Sequence, residues 1–135
     1  MKKKINEIFY SLQGEGFHAG TPAVFIRFSG CNLHCSFCDT QHEEGMLMTN
    51  EDIVREACQY PSQMIIFTGG EPSLQIDEDL IERLHHEHRY LCIETNGTRS
   101  LPSGIDWITC SPKEGSKIVL TRMNELKIVY TGQDV

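Results

Sequence analysis

The sequence predicts an α/β protein in which parallel strands form a sheet and helices lie outside it. Two observations lead to this prediction. Short apolar segments alternate with amphipathic helical segments along the 135 residues. Polar or glycine-rich motifs also follow nearly every apolar segment, at the strand end where α/β folds bind ligands. Only five strands are predicted, too few for a closed eight-stranded barrel, so we expect a partial, open TIM-like barrel.

The first predicted strand covers residues 22–28, which are apolar or aromatic except for Arg27. Proline is tolerated at its first position. The first helix begins at Thr49 or Asn50, either of which can cap it, and reaches about Gln59. The apolar residues of this helix fall on one face, which indicates packing against the sheet.

The second strand and second helix follow in the same order. Residues 64–68 form a short apolar strand that ends at Gly69 and Gly70. The second helix runs from about Asp77 to His86, because the acidic residues at its start suit the positive end of the helix dipole. Its buried stripe comprises Leu80, Ile81 and Leu84.

Three further strands are predicted at residues 90–94, 107–110 and 125–130. Carboxyl ends of parallel strands meet at one edge of a sheet. The fold therefore predicts that four motifs lie side by side at that edge. These motifs cover residues 30–40, 68–72, 94–97 and 111–113.

Composition excludes several classes of protein. Lys and Arg total 12 against 19 Asp and Glu, so the chain lacks the basic surface of a general nucleic-acid binder. Its most apolar stretches, 23–28 and 64–67, are far shorter than the roughly 20 residues that span a bilayer. Polar residues soon after Lys2–Lys4 interrupt any signal-peptide core. We therefore expect a cytoplasmic protein with no nucleic-acid or membrane partner.

Three cysteines, Cys31, Cys35 and Cys38, stand within eight residues of a polar segment. Thiolates so close together converge when their loop wraps a metal centre. Three soft ligands without a fourth nearby cysteine suit an iron–sulfur cluster with one iron open to a small molecule. The alternative is a zinc site completed by His34 or His42.

A second motif, Gly69-Gly70-Glu71-Pro72, directly follows an apolar strand. Its glycines let a ligand approach the backbone closely, and Glu71 can accept from an ammonium group. The alternative is an ordinary strand-to-helix turn. Together with the cysteine loop, this motif resembles those of the radical S-adenosylmethionine superfamily.

Further segments narrow the resemblance to the 7-carboxy-7-deazaguanine synthases of queuosine biosynthesis. They comprise residues 8–16, 20–30, 38–40, 94–97 and 111–113. The resemblance covers essentially the whole chain. It implies the ring contraction of 6-carboxy-5,6,7,8-tetrahydropterin to 7-carboxy-7-deazaguanine, with loss of ammonia. A 4Fe–4S cluster would cleave S-adenosylmethionine to a radical that takes a hydrogen from the substrate. The resemblance also implies Mg²⁺, an electron donor such as flavodoxin, and a homodimer.

The resemblance assigns roles to individual residues. Cys31, Cys35 and Cys38 would hold the cluster, and Thr40 would bind magnesium. The candidate S-adenosylmethionine contacts are Gly70 and Glu71 at the methionine amino group, and Glu94, Asn96, Ser111 and Lys113 at the ribose and carboxylate. Gln13 and Glu15 match the substrate loop.

Arg27 is notable because a charge within an apolar strand is costly unless it is paired. By alternation it shares a face with Ala23 and Phe25. A substrate carboxylate would satisfy its planar guanidinium, and a structural salt bridge would satisfy it equally well.

We expect residues 1–135 to form a single radical S-adenosylmethionine domain that lacks the family's usual C-terminal segment. Two other functions remain open. One is an activase that makes a glycyl radical on a partner enzyme, which would not require Arg27 or the loop at Gln13 to Glu15. The other is a non-catalytic zinc module.

Overall fold

The computed structural model describes residues 2–30, 45–112, 117–120 and 122–127. Its elements in chain order are β1 (Lys2–Leu12), β2 (Pro22–Phe28), β3 (Met46–Thr49), α1 (Asn50–Ala57), β4 (Met64–Gly69), α2 (Glu78–His86), β5 (Tyr90–Thr95), β6 (Trp107–Cys110) and β7 (Glu125–Leu126). The strands form one sheet in the order β3-β1-β2-β4-β5-β6-β7. Neighbouring strands from β2 to β7 are parallel, whereas β1 is antiparallel to both β2 and β3. The predicted α/β fold with an open parallel sheet is confirmed.

The predicted helices and parallel strands are present, with shifted ends. Helix α1 is capped by Thr49 and ends at Ala57, short of the predicted Gln59. The last strand covers Glu125–Leu126, and residues 128–130 of its predicted range lie outside the described part of the chain. No helix in the described ranges is long and apolar enough to cross a membrane.

Two strands, β1 and β3, were not predicted. In β1, Ile5 and Glu7 pair with the adjacent residues Phe28 and Arg27 of β2, so Asn6 is an extra residue at a bulge. The bulge interrupts the alternation by which a strand is identified. Strand β3 is a four-residue edge strand without alternating burial, so it carries no such pattern.

The two faces of the sheet have different neighbours. One face packs against both helices, and its largest buried side chains include Ile26, Phe28, Phe67 and Leu91. The opposite face, here called the open face, carries a smaller apolar cluster. This cluster comprises Ala23, Phe25, Met64, Ile66 and Cys92, with Phe9 and Trp107 packed beside it. Among the described residues both helices pack on the first face, so the open face is available for a ligand.

An ion pair between a buried lysine and a half-exposed aspartate joins the start of the chain to α2. Lys3, only 2% exposed, donates to Asp77 at 2.7 Å. Asp77 is also the N-cap of α2, accepting from the Leu80 backbone N–H at 2.9 Å. Burial alone would raise the pKa of Asp77, but the hydrogen bonds from Lys3 and Leu80 and the Lys3 charge hold it below its ordinary value of 3.8.

We expect Asp77→Asn to lower the free energy of unfolding at pH 7 by about 2 kcal/mol, because Lys3 loses its counter-charge while the cap acceptor is retained. Since the folded-state pKa of Asp77 is depressed, its stabilisation is fully present above pH 3.8 and is lost as the pH falls through that folded-state pKa. Urea denaturation between pH 7 and 3 measures both effects. Asp79→Asn, which breaks an exposed pair with Arg83, is the control and should have a much smaller effect. Equal effects of the two substitutions would contradict the role of Asp77.

Candidate functional site at the carboxyl edge and open face

The site begins where β2 and β4 end, because their backbones approach very closely there. Gly69 has φ +111°, and a Cβ atom at this position would lie 2.4 Å from the Phe28 carbonyl oxygen. A Cβ atom at Gly70 would lie 2.1 Å from the Gly30 carbonyl oxygen. The Glu71 N–H donates to that same oxygen at 2.6 Å. Both glycines are therefore required by contact between two segments of the protein itself.

Glu71 is 1% exposed, and its carboxylate accepts four hydrogen bonds. Ser73 donates through its N–H at 3.1 Å and its hydroxyl at 2.5 Å, and the Thr95 hydroxyl donates at 2.5 Å. The Asn96 N–H donates to the other oxygen at 2.7 Å. Burying a carboxylate requires this level of compensation. The side chain thus ties the turn after β4 to the end of β5, and its predicted contact with a methionine amino group stays a prediction.

The predicted motifs meet at this edge as far as the structure describes them. Asn96 is buried, and its Oδ1 accepts from the backbone N–H and hydroxyl of Thr98 at 3.1 and 2.7 Å. The Ser111 N–H donates to the Thr95 carbonyl at 2.7 Å. The ends of β4, β5 and β6 are therefore joined by direct hydrogen bonds.

Five of the predicted site residues lie outside the described residues. They are Cys31, Cys35, Cys38, Thr40 and Lys113. Gly30, which directly precedes the cysteine segment, is held against Gly70 and Glu71. The chain therefore enters that segment at the edge where the other motifs meet.

Gln13, Glu15 and Glu94 come together on the open face. The Thr68 hydroxyl donates to Glu94 Oε1 at 2.8 Å, and Gln13 Nε2 lies 3.5 Å from Glu94 Oε2. Lys127 Nζ donates to Glu15 Oε1 at 2.8 Å. The loop between β1 and β2, residues 13–21, thus reaches the strands on the far side of the sheet.

A narrow cleft lies between this loop and strands β5 to β7. Its lining residues include Gln13, Glu15, Gly16, His18, Ile66, Cys92, Glu94, Trp107, Thr109, Glu125 and Lys127. Sequence reasoning missed His18, Trp107, Glu125 and Lys127. The spacing of Glu125 and Lys127 could have indicated that both side chains lie on the same face of the sheet, because residues two apart in a strand share a face.

Arg27 lies on the face predicted for it, in register with Thr68 of β4. Its Nε is 3.1 Å from Glu7 Oε1, and its guanidinium carbon lies 5.7 Å from the centre of the Phe9 ring. The salt bridge was one of the two interpretations of this residue. It is half-exposed, with 35% of the Arg27 side chain and 52% of the Glu7 side chain accessible.

Cys92 and Cys110 are buried, and Cys58 is partly buried beside the core. Burial is the main cause that raises the pKa of the Cys92 thiol to about 12. Burial, followed by the charge of Glu71, also raises the pKa of Cys110. Such thiols stay protonated at neutral pH and are poor metal ligands. Within the described ranges, no group of three His, Cys, Asp or Glu residues is arranged to hold a metal ion.

Comparison with known proteins finds relatives that align with the whole chain. The Radical SAM superfamily model matches residues 25–130. The 7-carboxy-7-deazaguanine synthase of Bacteroides thetaiotaomicron is 68% identical over 135 residues, which cover 100% of this chain and 74% of the relative. That of Bradyrhizobium diazoefficiens is 40% identical over 152 residues, covering 96% of this chain and 72% of the relative. The crystal structure of QueE from Escherichia coli is similar with a TM-score of 0.83 and 31% identity, covering 95% of this chain and 71% of that one.

We expect Gly70→Ala to lower the free energy of unfolding by at least about 2 kcal/mol, because the added methyl group overlaps the Gly30 backbone and neither segment can move without breaking hydrogen bonds. Gly14→Ala is the matched control, since nothing lies within 4 Å of a Cβ atom there. Its effect should stay below about 1 kcal/mol. Urea denaturation of the two variants measures the difference, and equal stability would show that the close approach at Gly70 is not a constraint.

Proposed function

Because the chain belongs to the 7-carboxy-7-deazaguanine synthases of the radical SAM superfamily, we propose that it converts 6-carboxy-5,6,7,8-tetrahydropterin to 7-carboxy-7-deazaguanine. This lyase reaction contracts a ring, releases ammonia and belongs to queuosine biosynthesis. The structural observation that carries the proposal is the position of Gly30, directly before the cysteine segment, against Gly70 and Glu71. The activase and the zinc module are not favoured, since relatives aligned over the whole chain are synthases.

The donor set of residues 31–38 fits a 4Fe–4S cluster. Cys31, Cys35 and Cys38 provide three thiolates, and the chain enters their segment beside the glycine motif. Cys92 and Cys110 are buried thiols with raised pKa values and are unsuited to replace them. Held by these three thiolates, a 4Fe–4S cluster would supply the electron for reductive cleavage of S-adenosylmethionine.

The residues proposed to bind S-adenosylmethionine lie at the edge that Glu71 organises. Gly70 and Glu71 would face the methionine amino group, and Glu94, Asn96, Ser111 and Lys113 would contact its ribose and carboxylate. The Glu71 carboxylate holds Ser73, Thr95 and Asn96 in place through direct hydrogen bonds. An edge fixed in this way binds a ligand with little reorganisation of its own backbone.

The open face suits a flat heteroaromatic acid. Arg27 on β2 can recognise a carboxylate, and Glu15 in the β1–β2 loop can accept from an amino edge. Between them lie the apolar side chains of Phe25, Ile66 and Cys92. A pterin carries this combination of an amino edge, a planar ring system and a carboxylate, so Gln13, Glu15 and Arg27 are the proposed substrate contacts.

The remaining components rest on family membership alone. Thr40 would give magnesium an oxygen ligand, but a single hydroxyl is too weak to hold Mg²⁺, so substrate oxygens and waters would complete the shell. A flavodoxin-type electron donor, a homodimer and a cytoplasmic location complete the proposal.

Replacement of Cys31, Cys35 or Cys38 by Ala should abolish both the cluster and pterin turnover, whereas Cys58→Ala should retain both. The first three thiols stand in one polar segment, and Cys58 packs at the end of α1 beside the core. Iron and sulfide content after anaerobic reconstitution, with product formation, measures the difference. A full cluster in Cys35→Ala would contradict the assignment, as would stoichiometric zinc without sulfide in the parent.

Arg27→Lys should weaken substrate binding by about 1.5–3 kcal/mol, because Lys cannot reproduce a planar, bidentate contact with a carboxylate. Substrate KM in the parent and variant tests this expectation. Glu7→Gln is the matched control, since it removes the observed salt bridge and leaves Arg27 in place. If Arg27→Lys left the KM unchanged while both variants lowered stability equally, Arg27 would be a structural residue.

A further inference from the structure

Two charged side chains near β7 hold the β1–β2 loop. Glu125 Oε1 accepts from the Phe17 N–H at 3.3 Å, and Lys127 Nζ donates to Glu15 Oε1 at 2.8 Å. Strand β7 is the far edge of the sheet from β2, so the loop crosses the open face between them. The two contacts therefore connect elements that the order of strands keeps apart.

Gly16 lies directly against the Glu125 carboxylate, in a backbone conformation that side chains rarely adopt. Gly16 has φ +75°, a conformation that favours glycine. A Cβ atom at this position would lie 2.3 Å from Glu125 Oε2. The glycine thus allows the carboxylate to reach the N–H of the next residue, Phe17.

Aromatic contacts also attach the β1–β2 loop to β6. The Phe17 and His18 rings lie 4.9 and 4.7 Å from the Trp107 ring, measured between centroids. His18 meets Trp107 edge-on, with an angle of 74° between the rings. Trp107 is the only tryptophan in the chain, so its exposure reports on whether the loop lies against the sheet.

Lys127 offsets the negative charge of the carboxylates that line the cleft. Glu15, Glu94 and Glu125 all line the cleft, and among its described lining residues Lys127 alone carries a permanent positive charge. Without Lys127, the loop carboxylate of Glu15 would face two further carboxylates. The pair is exposed, with 35% and 62% of the two side chains accessible, so it adds little to global stability. The ion pair instead determines the position of the Glu15 carboxylate.

We propose that Glu125 and Lys127 are positioning residues that hold the β1–β2 loop across the open face, so that Gln13 and Glu15 meet the substrate. Glu125 acts through the loop backbone at Gly16 and Phe17. Lys127 acts through the Glu15 side chain, fixing Oε1 so that Oε2 can accept from the amino edge of the substrate. The role of Glu15 rests on the proposed function, whereas the attachment of the loop does not.

The kinetic test uses Lys127→Met and Lys127→Arg in the full chain after cluster reconstitution. Lys127→Met should raise the substrate KM about tenfold, the effect of one charge-assisted hydrogen bond, and change kcat less than about threefold. Lys127→Arg keeps the charge and should restore the KM. Arg83→Met, which removes an exposed ion pair on α2, is the control and should leave the KM at the parent value. Equal KM values for Lys127→Met and the parent would overturn the proposal.

A double-substitution cycle tests whether Lys127 acts through Glu15. Glu15→Gln should itself raise the KM, and adding Lys127→Met to it should change the KM less than about twofold. Fully additive effects would show that Lys127 acts on the substrate by another route and would overturn this part of the proposal.

Acrylamide quenching of Trp107 tests the loop attachment without substrate or cluster chemistry. Glu125→Ala and Gly16→Ala should increase the quenching of the folded protein, whereas Glu125→Gln keeps an acceptor for the Phe17 N–H and should resemble the parent. Circular dichroism shows that each variant is folded. Unchanged quenching in both Glu125→Ala and Gly16→Ala would overturn the proposal. If the variants show these quenching shifts but the reconstituted parent never turns over the pterin, the loop attachment holds and the proposed function is refuted.

Discussion

The buried carboxylate of Glu71 is the interaction on which the carboxyl edge depends. A carboxylate that is 1% exposed is tolerated only when its oxygens are supplied with donors, and here Ser73, Thr95 and Asn96 provide them. These donors belong to the turn after β4 and to the end of β5, so satisfying one charge fixes two strand ends together. The Glu71 N–H also donates to the Gly30 carbonyl, so the same residue holds the chain directly before the cysteine segment.

The glycines beside Glu71 serve packing before they serve a ligand. At Gly70 the space that a side chain would occupy is filled by the backbone of Gly30. A glycine motif at a strand end is commonly interpreted as room for a ligand, and here the same glycines also bring two chain segments into contact. The geometry of the edge therefore exists in the protein alone, which is the condition for binding a cofactor in a single orientation.

The parallel strands could be predicted from the sequence because both faces of strands such as β4 are apolar, and such strands read as continuous apolar runs. Strand β1 could not, because the bulge at Asn6 breaks its alternation. Without β1, the partner of Arg27 could not be predicted either. Glu7, the partner of Arg27, lies on β1, so the salt bridge could be considered only in general terms. The positions of the cluster cysteines, Thr40 and Lys113 stay predictions, since they lie outside the described residues.

The general rule that ligands bind at the carboxyl ends of parallel strands accounts for only part of this cleft. The β1–β2 loop leaves the sheet at the edge where the parallel strands begin, since Leu12 at the end of β1 pairs with Pro22 at the start of β2. Gln13 in this loop nevertheless reaches Glu94 near the end of β5. A closed barrel surrounds its ligand with strands on all sides, and an open sheet lacks some of these strands. A loop that crosses the open face can form the wall that the absent strands would provide. Such a wall needs attachment at its far side, and β7 is the strand in position to provide it. In the part of the chain that the structure describes, a fixed carboxyl edge and an attached loop together give the open sheet a two-sided cleft.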